Sequence, residues 1–277
     1  MKRRTFIYNS SLSMSSVFIG MHDLLIGCSS LNGKLSTKSN ARILHLDLIT
    51  STPIAELKKF YAGLLELPLV SEQTDRFIIR AGETTINFVQ VKDSAATPFY
   101  HFAFNIPENK ILKAREWQLK RTALSATPTQ LIDEKYPKDI RHFQHWNAHS
   151  IFFWDPAGNL VEYIARHDLD NSADGEFSNK DILCASEIAF IVNDANAIAD
   201  ELKSSFSLDQ YRGGDDNFRA IGDENGLLLI IKKGRVWESH TNTFRTPDTN
   251  KTSVTIKTDK NESWKPINYP FEINVKN

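Results

Sequence analysis

The sequence predicts an α+β fold assembled from tandem β-α-β-β-β modules, and three observations carry that prediction. An alternating apolar run beginning at Arg42 gives way to a helical period and then to three more short alternating runs. The same order of elements starts again at Phe99 and, in degenerate form, at Ser186. Turn formers (Gly, Pro, Asn, Asp) punctuate the runs. At 277 residues and 41% hydrophobic composition the chain is long enough to bury more than one core.

The first module spans 41–93. In Ile43-Leu44-His45-Leu46-Asp47-Leu48-Ile49 the leucines share one face and His45 and Asp47 share the other, the mark of a half-buried strand. Ser51 or Thr52 can cap the next element and Pro53 suits its first turn. Leu57, Phe60, Tyr61, Leu64 and Leu65 then recur at helical spacing. Leu67 to Ser71, Arg76 to Arg80 and Thr84 to Val91 read as strands.

The second module spans 97–168. Phe99 to Asn105 alternates as a strand, and Ile111, Ala114, Trp117 and Leu119 continue as a helix after Pro107. Thr122 to Leu131 is expected as a polar strand. Ser150 to Trp154 and Leu160 to Ala165 are apolar strands about the turn Asp155-Pro156-Ala157-Gly158-Asn159. An insertion from Asp133 to His149, rich in His and aromatics, precedes them.

A third copy and an extended segment fill 180–277, with strands at Ser186 to Val192, Phe218 to Ile221 and Gly226 to Lys232 and a helix over Ala195 to Phe206. Val254 to Ile256 and Pro270 to Ile273 read as extended. Gly213, Gly214 and Gly226 are turn glycines and not a phosphate loop, because no helix with a following Lys-Ser or Lys-Thr continues them. Ser150 beside His149 lacks a nucleophile-elbow sequence, which speaks against a serine hydrolase.

A formal net charge of -1 with interspersed signs argues against a nucleic-acid surface and for small-molecule chemistry. Two cysteines, Cys28 and Cys184, cannot make a disulfide framework. Residues 1–40 read as an export signal and tether. Lys2-Arg3-Arg4-Thr5-Phe6-Ile7 resembles a twin-arginine signal, and Leu25-Ile26-Gly27-Cys28 resembles a lipoprotein box with Cys28 lipidated. The expectation is a periplasmic or membrane-anchored bacterial protein, or a cytoplasmic one if the signal is idle. His22 and Asp23 interrupt the apolar stretch, which is too short and polar to span a bilayer.

His45 and His101 occupy the opening strands of the first two copies, each on the face opposite the bulky apolar side chains, so both point to the uncovered, concave side of the sheet. Glu162 lies inside the apolar strand Leu160-Val161-Glu162-Tyr163-Ile164, where a carboxylate needs a partner. Two imidazoles and a carboxylate make a three-ligand metal site with open positions. A single strand His or Glu is more often structural; the equivalent positions in a repeated unit carry the argument. Glu187 falls at the histidine position of the third copy and Leu229 and Ile230 fall where Glu162 would be, so that copy is expected to wall the cleft without a metal of its own.

The tandem modules, a His in each opening strand, and the ending Asp-Pro-x-Gly-Asn-x-x-Glu (Asp155 to Glu162) resemble the vicinal oxygen chelate superfamily of extradiol dioxygenases, glyoxalase I and fosfomycin-resistance thiol transferases. The likeness covers Arg42 to Arg166 well and Ile182 to Trp237 weakly. It implies an open mixed-sheet barrel formed by pairing the modules of 41–168 around one divalent ion, with Fe(II) or Mn(II) preferred and Zn(II) or Ni(II) as alternatives. Asn87 stands where glyoxalase I carries a further ligand, which favours a three-ligand pattern. The resemblance thus implies an oxidoreductase opening a catechol-like ring with O2, with His142, His145 and His149 of the insertion as candidate catalytic bases and Tyr136 and Trp146 as pocket walls. Phe152 replaces a helper Tyr of those dioxygenases. The alternatives are a Lewis-acid lyase, isomerase or thiol transferase on a small oxygenated substrate, and a non-catalytic binder. Substrate and oligomeric state are open.

Overall fold

Each module begins with a strand in the computed structural model, which describes residues 40–92, 97–234, 237–238 and 244–276, though a register shift at the start of the first one buries Ile43 in place of Leu44. Strand β1 (Arg42–Thr50) buries Leu46 and Leu48 and leaves His45 and Asp47 partly exposed. Helix α1 (Ile54–Lys58) runs on as a π-helical turn over Lys59–Leu64, turning Leu57, Phe60 and Tyr61 into the core. Strands β2 (Leu69–Gln73), β3 (Arg76–Ala81) and β4 (Thr84–Gln90) complete the module.

The second module contains β5 (His101–Ile106), α2 (Ile111–Leu119), β6 (Arg141–Phe143), β7 (Ala148–Trp154) and β8 (Leu160–Arg166). The expected polar strand over 122–131 does not form. Only Leu124 bridges to Phe153, and a 3-10 turn occupies Thr129–Leu131. Pro128 has no N–H for a ladder, and β6, from inside the insertion, takes the sheet edge instead.

In the third module β9 (Cys184–Val192) leads to α3 (Ala195–Phe206), then β10 (Gln210–Asp215), β11 (Phe218–Asp223) and β12 (Gly226–Lys232). Asp194 caps α3 by accepting from Ala197 N at 3.0 Å, and Ser207 ends it at φ 52°. Beyond it come the short pair β13 (Trp237–Glu238) and β14 (Phe244–Arg245), then β15 (Thr252–Lys257) and β16 (Phe271–Val275).

The pairing of modules differs from the expectation. The first and second modules do not share a sheet; β5 pairs antiparallel with β9, so the second and third modules form one eight-stranded sheet, ordered β10-β11-β12-β9-β5-β8-β7-β6. The first module lies in a six-stranded sheet, β16-β15-β1-β4-β3-β2. There β15 pairs antiparallel with β1 and β16 runs parallel to β15, as β4 does to β1. The C-terminal segment is thus a two-strand remnant of a fourth module, and it occupies the β1 edge that a second module would need.

One core joins the sheets, drawing Leu46, Phe77 and Phe88 from the first and Phe102, Phe104, Phe153 and Phe190 from the second. Tyr61 stacks on Phe88 at 4.7 Å; truncating such a ring costs about 3–5 kcal/mol. Two glycines allow the sheets to approach. A Cβ on Gly82 (φ +56°) would stand 1.8 Å from Leu183 O, and one on Gly226 would stand 2.7 Å from the Ala41 backbone. The export reading of 1–40, with Cys28, lies outside the described residues except at Asn40. Among the described residues no helix is long and apolar enough to cross a membrane.

Candidate metal centre

The register of the eight-stranded sheet sets which side chains share a face. Ala103 stands opposite Glu162 on one side and Glu187 on the other, and Glu162 stands opposite Phe152. His101, two residues before Ala103, therefore projects from the same face as both glutamates. That face is turned away from the shared core, yet His101, Glu162 and Glu187 are all buried. A register shift between Ala103 and Phe104 leaves Ser186 as the extra residue beside Glu187.

His101 Nε2 lies 3.4 Å from Glu162 Oε2 and 4.0 Å from Glu187 Oε2. Its Nδ1 is 3.0 Å from Leu160 O. A carbonyl only accepts, so Nδ1 donates to it and Nε2 is turned toward the carboxylates. Phe152 stacks on the imidazole at 5.9 Å, and Arg141 sits over Phe152 at 3.9 Å. The helper position thus holds the histidine ring by its flat face.

Arg166, completely buried at the end of β8, donates through Nη2 to Glu187 and through Nε to Asn105 Oδ1 at 3.1 Å. Burial, and then the neighbouring Glu187, push the Glu162 carboxyl up to about 8. Burial raises Glu187 too, against the charge and hydrogen bond of Arg166. With Glu187 paired to Arg166, the carboxyl of Glu162 beside the imidazole in a dry place calls for one further positive charge, either a proton or a metal ion. One donor atom from each of the three lies within 4.8 Å of the others. The donor set fits a divalent ion, with His101 oriented by its backbone hydrogen bond as metal-binding histidines usually are.

The turn Asp155 to Asn159 positions this pair of strands. Asp155 is buried and accepts from Tyr61 Oη at 2.7 Å and from Asn159 N and Nδ2 at 2.8 Å each. Asn159 Oδ1 in turn accepts from Tyr100 N at 2.9 Å. The Asp-Pro-x-Gly-Asn sequence therefore locks β8 against β5, which aligns Glu162 with His101.

Of the three expected ligands the structure brings together His101 and Glu162. His45 is a correction. It sits on β1 in the other sheet, 2.7 Å from Thr85 Oγ1 and 3.2 Å from Asp47 Oδ1, because the second module pairs with the third and not with the first. Glu187 stands in its place. The signal was present in the alignment of Glu187 with the histidine position, but the identity of the partner module was not.

The expected catalytic bases also lie elsewhere. His149 pairs with Ala165 in a ladder without register shifts, so it projects from the face opposite Glu162, and His142 pairs with His149. His145 is exposed in the 3-10 turn Gln144–Trp146. Tyr136 packs on His149, away from the carboxylates, whereas Trp146 does wall the site. It meets Tyr211 at 5.2 Å, and the Arg166 guanidinium lies 5.3 Å from its ring. Arg166 and Tyr211 were not singled out by sequence.

Among solved structures, the chain resembles a Bacillus subtilis protein described as a candidate dioxygenase, with a TM-score of 0.54 and 15% identity over 87% of this chain and 86% of that one. The chain has the vicinal oxygen chelate fold. At that identity the likeness is one of fold. Glyoxalase I from Zea mays matches with a TM-score of 0.47 and 13% identity over 80% of this chain and 76% of that one. Lactoylglutathione lyase from Agrobacterium tumefaciens matches with a TM-score of 0.33 and 17% identity over 44% of this chain and 91% of that one. No protein-family profile and no curated protein matches the sequence. Within the vicinal oxygen chelate fold of this chain, the candidate centre belongs to the sheet made by the second and third modules.

Proposed function

We propose that this chain is a divalent-metal-dependent enzyme acting on a small substrate with adjacent oxygen atoms, by proton transfer in a lyase or isomerase reaction. His101, Glu162 and Glu187 would hold the ion. The observation that carries this reading is the buried donor set of one imidazole and two carboxylates on a single sheet face. Mn(II) and Fe(II) suit such an oxygen-rich set. Bound there, the ion supplies Lewis-acid polarisation of a substrate oxygen.

The chain's own residues do the rest. In the metal-free chain burial holds the Glu162 carboxyl up to about 8, so uptake of the ion would release a proton there near neutral pH. Arg166 fixes Glu187, and the same guanidinium lies beside the Tyr211 hydroxyl at the site. These two groups would face a substrate oxygen together. Trp146 and Tyr211 wall the site against water.

This reading favours proton transfer over ring opening because the set holds one histidine, not the two histidines and one carboxylate usual for non-haem oxygenases. Elemental analysis of protein purified without chelator tests it, followed by metal-dependent deuterium exchange of α-hydroxycarbonyl compounds and oxygen-electrode assays on catechols. The expected results are metal lost in Glu162→Ala and kept in His45→Ala, exchange with the carbonyl panel, and no oxygen uptake. Metal content indifferent to Glu162→Ala overturns the site, and oxygen consumption with catechols restores ring opening.

A further inference from the structure

The insertion builds a second constellation on the opposite face of the same sheet. His149 Nε2 lies 3.3 Å from Asp133 Oδ2, and His142 Nδ1 lies 3.9 Å from that same oxygen. The two imidazoles stack at 4.5 Å and 7°, with both nitrogens directed at one carboxylate. One donor atom from each of the three residues lies within 4.8 Å of the others.

What stands behind His149 fixes its orientation. His167 Nδ1 is 3.2 Å from Glu108 Oε2, and His167 Nε2 is 2.8 Å from His149 Nδ1. A carboxylate only accepts, so His167 Nδ1 donates to Glu108. The hydrogen bond between His167 Nε2 and His149 Nδ1 turns His149 Nε2 to the Asp133 carboxylate at 3.3 Å. A proton or a metal ion can bridge those two atoms, and His142 Nδ1 reaches the same oxygen.

We infer that Asp133, His142 and His149 form a second metal site for a borderline divalent ion of the zinc type, with His167 and Glu108 orienting His149 from behind. Two imidazoles and a carboxylate suit such ions, and a hydrogen bond from the far nitrogen of a ligating histidine to a carboxylate relay is how proteins fix its orientation. The His149 side chain is buried, while those of His142 and Asp133 are 30% and 19% exposed, giving the ion a way in and a water position. Occupancy would tie Asp133, at the start of the insertion, to β6 and β7. The inference is independent of the proposed reaction.

The test uses full-length protein stripped with chelator and titrated with Co(II), read by visible absorption and by elemental analysis after Zn(II) loading. The wild type is expected to take two equivalents. His142→Ala and Asp133→Asn should each lose one while Glu162→Ala loses the other, and circular dichroism should report an unchanged fold in His142→Ala. Glu108→Gln should keep the stoichiometry and weaken this site about 10–100-fold. Folded His142→Ala that binds as much metal as wild type, with the same spectrum, overturns the inference. A wild type whose only equivalent is lost in His142→Ala sustains it and removes the centre at Glu162.

Discussion

In chelator-stripped protein the buried pair Glu162 and Glu187 should make stability fall as pH rises above neutrality. The folded chain holds a proton at Glu162 up to about 8, whereas an unfolded carboxyl has released it near 4.5. Stability falls with pH wherever the unfolded state binds fewer protons. The contribution is therefore complete below about 4.5 and lost by about 8. His149 works in the opposite sense at lower pH. Burial takes its imidazole down from 6.5 to about 4, so stability rises with pH through that interval. The two slopes oppose one another up to about pH 6.5, and above it the carboxyl pair remains. One proton over the interval from pH 6.5 to 8 amounts to about 2 kcal/mol. With a urea dependence of about 2–3 kcal/mol/M, the unfolding midpoint should drop by just under about 1 M. The assay is equilibrium urea unfolding at fixed ionic strength with chelator present. Glu162→Gln should be level over the same interval. A wild-type midpoint that is level or rising, or a Glu162→Gln midpoint that falls equally, refutes the reasoning.

Three further outcomes follow from the packing. Asp155→Ala strands the buried Tyr61 hydroxyl and two Asn159 donors, and should cost about 3 kcal/mol; Tyr61→Phe should cost about 1 kcal/mol, both measured by denaturant unfolding. Gly82→Ala places a methyl 1.8 Å from Leu183 O at a positive φ, and should lower stability by about 3 kcal/mol or more, seen as a large fall in the thermal midpoint. Arg166→Met leaves Glu187 buried without its partner and should cost about 3–5 kcal/mol in the metal-free state. Adding Glu187→Gln should return most of that loss in a double-mutant cycle.

Local patterns made much of the fold legible. The alternation from His45 onward, the helix over Ala195–Phe206 and the strand Gly226–Lys232 emerge where the sequence predicts them. Strand β10 was invisible because Gln-Tyr-Arg-Gly-Gly-Asp has one apolar side chain, and β6 was hidden inside the insertion. Face parity within a strand gave His101 and Glu162. Module pairing did not follow from parity, because each opening strand can bind antiparallel to any other, and the choice depends on contacts far apart in sequence. Ala41 N donating to Asp223 Oδ2 at 2.8 Å and Glu83 N donating to Leu183 O at 2.9 Å are two of them. His45 was lost and Glu187 gained for that one reason. His149 shows the converse, since counting its three-residue offset from Phe152 along one strand is enough to put it on the opposite face. The export reading of the first forty residues remains a proposal, to be tested by cell fractionation with Arg3 and Arg4 replaced by Lys.

The exchange of a histidine for Glu187 changes the charge of the centre less than it first suggests. An ion with two neutral imidazoles and one carboxylate leaves one net positive charge. With Glu187 in place of an imidazole that charge would be cancelled, and the ion would be a weaker Lewis acid. Arg166 restores it, because its guanidinium is fully buried and bonded to Glu187, so the carboxylate and the guanidinium together count as a neutral donor. The same bond leaves Arg166 Nη1 on the site face. An oxyanion that develops on the substrate would then meet both the ion and the guanidinium that balances its ligand. Placing Arg166 four residues after Glu162 on the same strand face lets the second module supply one carboxylate and the counter-charge for the carboxylate of the third.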